Sequence, residues 1–163
     1  MILIALGANL PSPAGMPQQT LEAAIKRLEA SGVRIVLRSR WYRTAPVPVS
    51  DQPSFVNGVA RVETKFEPGA LLVLLRQVEQ EFGRQRTVRN AARALDLDII
   101  DYDGRVENTP ELTLPHPRLQ ERAFVLLPLA EIAPGWRHPI LGTTVESLIF
   151  ALPPGQEARP MLG

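Results

Sequence analysis

Two carboxylates spaced one residue apart, Asp96 and Asp98, are the first candidates for chemistry in this 163-residue chain. They stand in Leu95-Asp96-Leu97-Asp98-Ile99, whose alternation is that of a strand, with both acids on one face and the leucines and Ile99 on the other. Carboxylates at i and i+2 lie about 7 Å apart and repel each other unless a cation stands between them. An all-oxygen pair suits Mg²⁺, which keeps waters and takes one or two carboxylates plus substrate phosphates. The same pattern also fits a strand whose polar face meets solvent or a salt bridge.

Just upstream, Arg84, Arg86, Arg89 and Arg93 crowd into ten residues that contain no acid. Like charges in one loop repel, and an anion would relieve them. Guanidiniums beside a carboxylate pair are what phosphoryl or pyrophosphoryl transfer requires, although a solvated basic loop has the same composition. Phe55 and Asn57 share one strand face; an aromatic plate next to an amide suits a flat heterocycle, a pterin or a purine, and equally a partly buried Phe with a structural Asn. His116, in the stiff run Leu114-Pro115-His116-Pro117, is either a phosphate donor or an ordinary loop histidine. Glu79, one helical turn before Gly83, either reaches the same site or faces solvent.

These residues need elements to hold them, and hydrophobic periodicity supplies the elements. Ile2–Leu6 is a short buried strand broken at Gly7-Ala8-Asn9. Residues 18–30 carry Leu21, Ala24, Ile25 and Leu28 at helical spacing. Val33–Trp41 alternates as a half-buried strand, and 44–53, with three prolines, is a surface loop. A strand returns at Phe55–Thr64. Pro68 opens a helix that Gly83 closes. Leu95–Tyr102 is a strand, and Asp103-Gly104 signals a hairpin into Arg105 and Val106. The order βαββαβ predicts an α+β fold, a ferredoxin-like sandwich with two helices on one sheet face. The remaining third predicts a hairpin-and-helix extension: helices near 122–132 and 143–151, the first ended or kinked by Pro128, able to cover the other face. Residues 1–152 are expected to form a single domain, and 153–163 a disordered tail.

Composition narrows the function classes. The chain has no cysteine and only two histidines, which excludes thiolate metal sites and makes a multi-histidine zinc site improbable. A net charge of +1 argues against a protein that holds nucleic acid by bulk charge. Cations are 16 Arg against two Lys, which suits bidentate phosphate recognition. No apolar run approaches a membrane span, so a cytoplasmic protein without membrane contact is expected, acting as a monomer. Neither G-x-x-x-x-G-K-[ST] nor G-x-G-x-x-G occurs, which disfavours P-loop kinases and Rossmann dehydrogenases.

Taken in order, Gly7-Ala8-Asn9-Leu10, Tyr42-Arg43-Thr44, Asp51-Gln52-Pro53 with Phe55 and Asn57, Glu79 with Gly83-Arg84-Gln85-Arg86, Arg93 with Leu95-Asp96-Leu97-Asp98, and Leu114-Pro115-His116-Pro117 with Arg122, Phe124 and 128–134 resemble the 6-hydroxymethyl-7,8-dihydropterin pyrophosphokinases of folate biosynthesis. The resemblance runs from Ile4 to about Pro134. It implies transfer of pyrophosphate from MgATP to the pterin hydroxymethyl oxygen, with release of AMP. It implies that Asp96 and Asp98 hold two Mg²⁺ and that Arg84 and Arg93 are catalytic. It implies that Asn57 bonds the pterin between Phe55 and Phe124, with backbone groups of Thr44 and Val47 in contact. On the ATP side it implies Arg86, His116 and Arg122 at the phosphates, Glu79 near the nucleotide, the Ile99 backbone and the Thr113 side chain at adenine, and Arg76 where some members have Gln. It agrees with the ferredoxin-like expectation.

The chain departs from better-known members at Asn90-Ala91-Ala92, where those carry Trp-Gly-Pro, and at Ala45, Phe55, Ala94 and Pro117. No departure removes a carboxylate of the pair or a catalytic arginine. Two rivals predict different products: a non-catalytic RNA-binding module of this fold forms no AMP, and a γ-phosphate kinase forms ADP.

Overall fold

The computed structural model describes residues 1–44, 53–83 and 94–161. Its main sheet joins β1 (Ile2–Ala8), β4 (Phe55–Glu63) and β5 (Asp96–Tyr102) to β2 (Arg34–Arg38), β3 (Tyr42–Thr44) and β8 (Ala158–Pro160). The order is β5-β1-β4-β3-β8, with β2 also on β4, and every pairing is antiparallel. A small hairpin pairs β6 (Glu107–Asn108) with β7 (Thr113–Leu114).

Alternation along the strands sorts side chains to two faces. Ile2, Ile4, Leu6 and Ala8 of β1 and Leu97 and Ile99 of β5 enter one core. There they meet α1 (Pro17–Ala30), through Leu21, Ala24, Ile25 and Leu28, and α2 (Pro68–Glu81), through Leu71, Leu75 and Val78. Each helix begins with Pro in its first turn, where the missing N–H has no intrahelical partner to lose. The opposite face carries Leu3, Val59 and Ile100 under α3 (Ala123–Ile132) and α4 (Val145–Phe150), which bring Leu126, Leu129, Ile132, Val145 and Leu148. Full burial of each such side chain stabilises by about 1.5–3 kcal/mol. No described helix is long and apolar enough to cross a membrane.

Four sequence expectations need correction or narrowing. The run 33–41 is not one strand: β2 stops at Arg38, and β3 starts at Tyr42. Ser39 takes over the pairing between them, its N–H bonding Val59 O at 2.9 Å and its Oγ accepting from Val59 N at 3.0 Å. Trp41 is then free to lie against Gly58, where a Cβ would strike the indole ring. Of the two outcomes expected at Pro128, an end to α3 does not occur: the helix runs on to Ile132, with Leu129 and Ile132 buried against the sheet. Asp103 (φ 54°) and Gly104 (φ 72°) do form a left-handed turn, but the strand after it pairs with β7 rather than with β5. Finally, the expected disordered tail contains β8, paired with β3 through Tyr42↔Pro160 and Thr44↔Ala158.

Candidate active site

Along β1 the residues on the α3 face shrink from Leu3 to Ala5 to Gly7. The helices cover the Leu3 end, and the small residues leave a cleft at the Gly7 end, enclosing about 420 Å³ of space open to solvent. Its floor is fixed by register. Gly7 pairs with Asn57 on one side and Asp96 on the other, and Ala5 pairs with Val59 and Asp98. Two strand spacings put Asn57 and Asp96 roughly 10 Å apart across Gly7. Both carboxylates and Asn57 therefore line one cleft, with His116, Arg122 and Phe124 on its rim.

Asn57 is buried, and its Nδ2 donates to Thr44 Oγ1 at 2.7 Å. Its Oδ1 lies where a Gly7 Cβ would be, so the glycine is what lets the amide lie flat on the sheet. Phe55 is half-buried two residues upstream on the same face, opposite Thr44, and does not line the cleft. Phe124 does line it, with the Arg122 guanidinium 5.3 Å from its ring centroid. Asn9 Nδ2 donates to Pro53 O at 3.2 Å, fixing the end of β1 to the segment that enters β4.

Asp98 is held from two sides. Arg76 reaches round the edge of β5 from α2, donating to Asp98 Oδ1 at 3.1 Å, Leu97 O at 2.6 Å and Glu79 Oε2 at 2.9 Å. Glu79 is only 1% exposed and accepts from Leu97 N at 2.7 Å. It is thus neither a solvent residue nor a wall of the cleft; it braces the outer edge of β5. Burial works against the charge on Arg76, but Glu79 and Asp98 outweigh it and hold the guanidinium above its ordinary pKa.

His116 follows a cis Leu114–Pro115 bond, and its backbone N–H donates to Ile100 O at 3.0 Å. Nδ1 accepts from Arg118 N at 3.3 Å, so the neutral ring carries its proton on Nε2, 3.9 Å from Asp98 Oδ2. Burial holds the imidazole below the ordinary histidine value, Asp98 opposing and Arg122 reinforcing the shift.

Leu97 turns both backbone groups away from β1, toward Glu79 and Arg76. Ile99, two residues on, has the same orientation, so its backbone faces the outer edge of β5 while its side chain is buried among the α1–α2 core. Thr113 begins β7, which packs beside β5, and is half-exposed. Arg84 and Arg93, which the resemblance implies are catalytic, together with Arg86 and Val47, lie outside the described residues.

Two contributions escaped sequence reasoning. Gly7 was expected to break the first strand, whereas β1 runs through it to Ala8, and a glycine inside a pairing strand signals a close approach. The bond from Asn57 to Thr44 spans two strands and has no local signal.

Two carboxylates on adjacent same-face positions, an all-oxygen donor set, fit a hard divalent cation that completes its shell with water and phosphate oxygen. Mg²⁺ is such a cation.

The family pattern of 7,8-dihydro-6-hydroxymethylpterin-pyrophosphokinase matches residues 3–134. The 2-amino-4-hydroxy-6-hydroxymethyldihydropteridine pyrophosphokinase of Pseudomonas aeruginosa is 41% identical over 152 residues, covering 93% of this chain and 91% of that protein. The folic acid synthesis protein FOL1 of Dictyostelium discoideum is 39% identical over 155 residues, 95% of this chain but only 23% of that longer protein. The chain spans about a fifth of the length of the folic acid synthesis proteins it matches. Among solved structures, wild-type HPPK-DHPS of Plasmodium falciparum with pteroate superposes with a TM-score of 0.71 at 14% identity, covering 90% of this chain and 43% of that one, a likeness of fold alone. By the match over most of its length, and by the near full-length likeness to the Pseudomonas protein, this chain belongs to the 7,8-dihydro-6-hydroxymethylpterin-pyrophosphokinase family.

Proposed function

We propose that the chain transfers the terminal pyrophosphate of MgATP to the hydroxymethyl group of 6-hydroxymethyl-7,8-dihydropterin, releasing AMP, as a step of folate synthesis. The observation that carries this is the row Asn57–Gly7–Asp96 across three strands, an amide at one end of a cleft and a carboxylate pair at the other. An amide with donor and acceptor suits the pterin edge, Phe124 offers a stacking face, and the Asp96–Asp98 pair suits the phosphate end.

Asp96 and Asp98 would hold Mg²⁺, two ions in this reading, which neutralises phosphate charge and orients the triphosphate when bound. Arg76 fixes the direction of the Asp98 carboxylate. His116, its Nδ1 taken up by Arg118 N, presents Nε2 as a donor to the phosphates. Arg122 supplies a positive charge on the rim, with Arg86 alongside it at the phosphates. Arg84 and Arg93 stabilise charge on the transferring group. Phe55, Thr44 and Val47 complete the pterin side, and the Ile99 backbone and Thr113 serve adenine. Such transfer depends on positioning and charge far more than on early proton movement, so the lack of a strong base among these residues is no obstacle.

The reading extends to the ferredoxin-like class, supported by the order β5-β1-β4 with β2 and β3 on the far side of β4 as one interrupted strand. It also takes the enzyme as a cytoplasmic monomer of a single domain, which β8 carries past residue 152.

The test is nucleotide product analysis of purified protein with ATP and Mg²⁺, with and without the pterin. AMP that appears only with the pterin supports the proposal. ADP, or no turnover, overturns it.

A further inference from the structure

The C-terminal segment beyond α4 lies outside the residues matched by the family pattern, yet it bonds the backbone on either side of Arg122 and pairs with β3. The Gln156 side chain makes two hydrogen bonds, one on each side of Arg122: Nε2 donates to Glu121 O at 2.7 Å, and Oε1 accepts from Ala123 N at 2.9 Å. A carbonyl at i−1 and an N–H at i+1 bracket the φ and ψ of residue i. One amide that grips both therefore fixes that residue's backbone, as a neighbouring strand would. Arg122 is accordingly extended, at φ −122° and ψ 109°, immediately before α3 begins. The bond to Ala123 N also satisfies one of the donors that a helix N-terminus leaves open.

Gln156 is itself held in place. Two residues on, β8 pairs with β3 from Ala158 to Pro160, and Met161 N donates to Trp41 O at 2.7 Å. The β3 strand ends in Thr44, the partner of Asn57. The segment thus straps the Arg122–Phe124 rim to the strand that supports the amide end of the cleft.

We propose that Gln156 is a positioning residue for Arg122, fixing the direction from which its guanidinium meets the anionic end of the substrate. The inference rests on the reading of the cleft as a nucleotide site. An arginine on a stiff backbone loses less freedom when it binds phosphate than one on a frayed helix start, so the effect belongs in affinity for the anion.

The experiment compares wild type, Gln156→Met and Gln156→Ala in the full chain, alone and combined with Arg122→Ala. The readouts are KM and kcat for MgATP and for the pterin, calorimetric affinity for α,β-methylene-ATP with Mg²⁺, and hydrogen exchange of residues 121–125. Loss of two neutral hydrogen bonds predicts about a tenfold rise in KM for MgATP and in the analogue's Kd, with faster exchange at Ala123. In the Arg122→Ala background the same substitutions should add nothing, since the effect acts through Arg122. A lower melting temperature with unchanged KM and Kd, or an undiminished effect without Arg122, overturns the proposal. The two alanine and methionine variants differ in the volume they retain, so agreement between them excludes a packing effect. If wild type forms no AMP, the functional reading fails, while analogue affinity and exchange still decide the role of Gln156.

Discussion

At Gly7 a methyl group has no room, because Asn57 Oδ1 occupies its place. Gly7→Ala therefore forces the amide to rotate and break its 2.7 Å bond to Thr44. The pterin end should suffer alone: KM for the pterin is expected to rise about tenfold, the worth of one well-placed hydrogen bond, with KM for MgATP within twofold. Steady-state kinetics with each substrate varied in turn checks this. Asp96 belongs to the other end of the same row. Asp96→Ala removes half the carboxylate pair from a half-buried position without opening a core cavity. AMP formation should fall by about a thousandfold or more, the scale of losing a preorganised electrostatic contact, while thermal unfolding shifts by no more than about 2 °C. A metal-dependent Asp96→Ala enzyme near wild-type rate would remove Asp96 from the metal assignment.

At the scale of elements, the question is how strands and helices of different sequence distance are kept in register around the cleft. Glu131, on α3, accepts from Arg40 N at 2.6 Å, Arg40 Nε at 2.8 Å and Tyr42 Oη at 2.7 Å. It ties the helix that follows Arg122 and carries Phe124 to the start of β3. Burial alone would raise its pKa, but these donors outweigh burial and hold the carboxyl below the ordinary 4.5. A depressed folded-state pKa gives stability that is fully present above the unfolded value and is lost as pH falls through the folded one. Between pH 6 and the acid side of 4.5, wild type should therefore lose more melting temperature than Glu131→Gln, with the two curves parallel above pH 6. Melting followed by circular dichroism across that range tests it. These links also mark the limit of what sequence periodicity reveals. Alternation and helical spacing located β1, α1, β4, α2 and β5, because each buries one face. They missed the break at 39–41, where Ser39 substitutes for a ladder residue, and β8, whose Ala158-Arg159-Pro160 has no apolar pattern and forms only because β3 offers an edge. In the site, the Asp96/Asp98 pair and the Phe55/Asn57 pair were legible because strand period fixes their faces. The roles of Glu79 and Gln156 were not, since both act through backbone groups distant in sequence.

At the scale of the whole molecule, β5 serves two ends. Asp96 and Asp98 open its first half toward the cleft, whereas Asp101, three residues on, is 4% exposed and belongs to the covered end. There Asp101 Oδ2 accepts from Trp136 Nε1 at 2.8 Å and Oδ1 from Gly104 N at 2.9 Å, so one carboxylate joins the segment after α3 to the turn after β5. A register shift in the β1–β5 pairing, between Leu3 and Ile4, separates the two halves of the strand. Chemistry and stability are thereby assigned to opposite ends of the same element. Trp136→Phe keeps most of the ring volume but strips a donor from a buried carboxylate, which costs about 2 kcal/mol. In a chain of this size that corresponds to a fall of roughly 4–8 °C in melting temperature. Because the lost bond lies beyond the shift, KM for both substrates and kcat should stay within twofold of wild type below the transition. Kinetics and calorimetry on the same preparation make the comparison. A KM that moves in step with melting temperature would show instead that strain at Asp101 travels along β5 to the carboxylate pair.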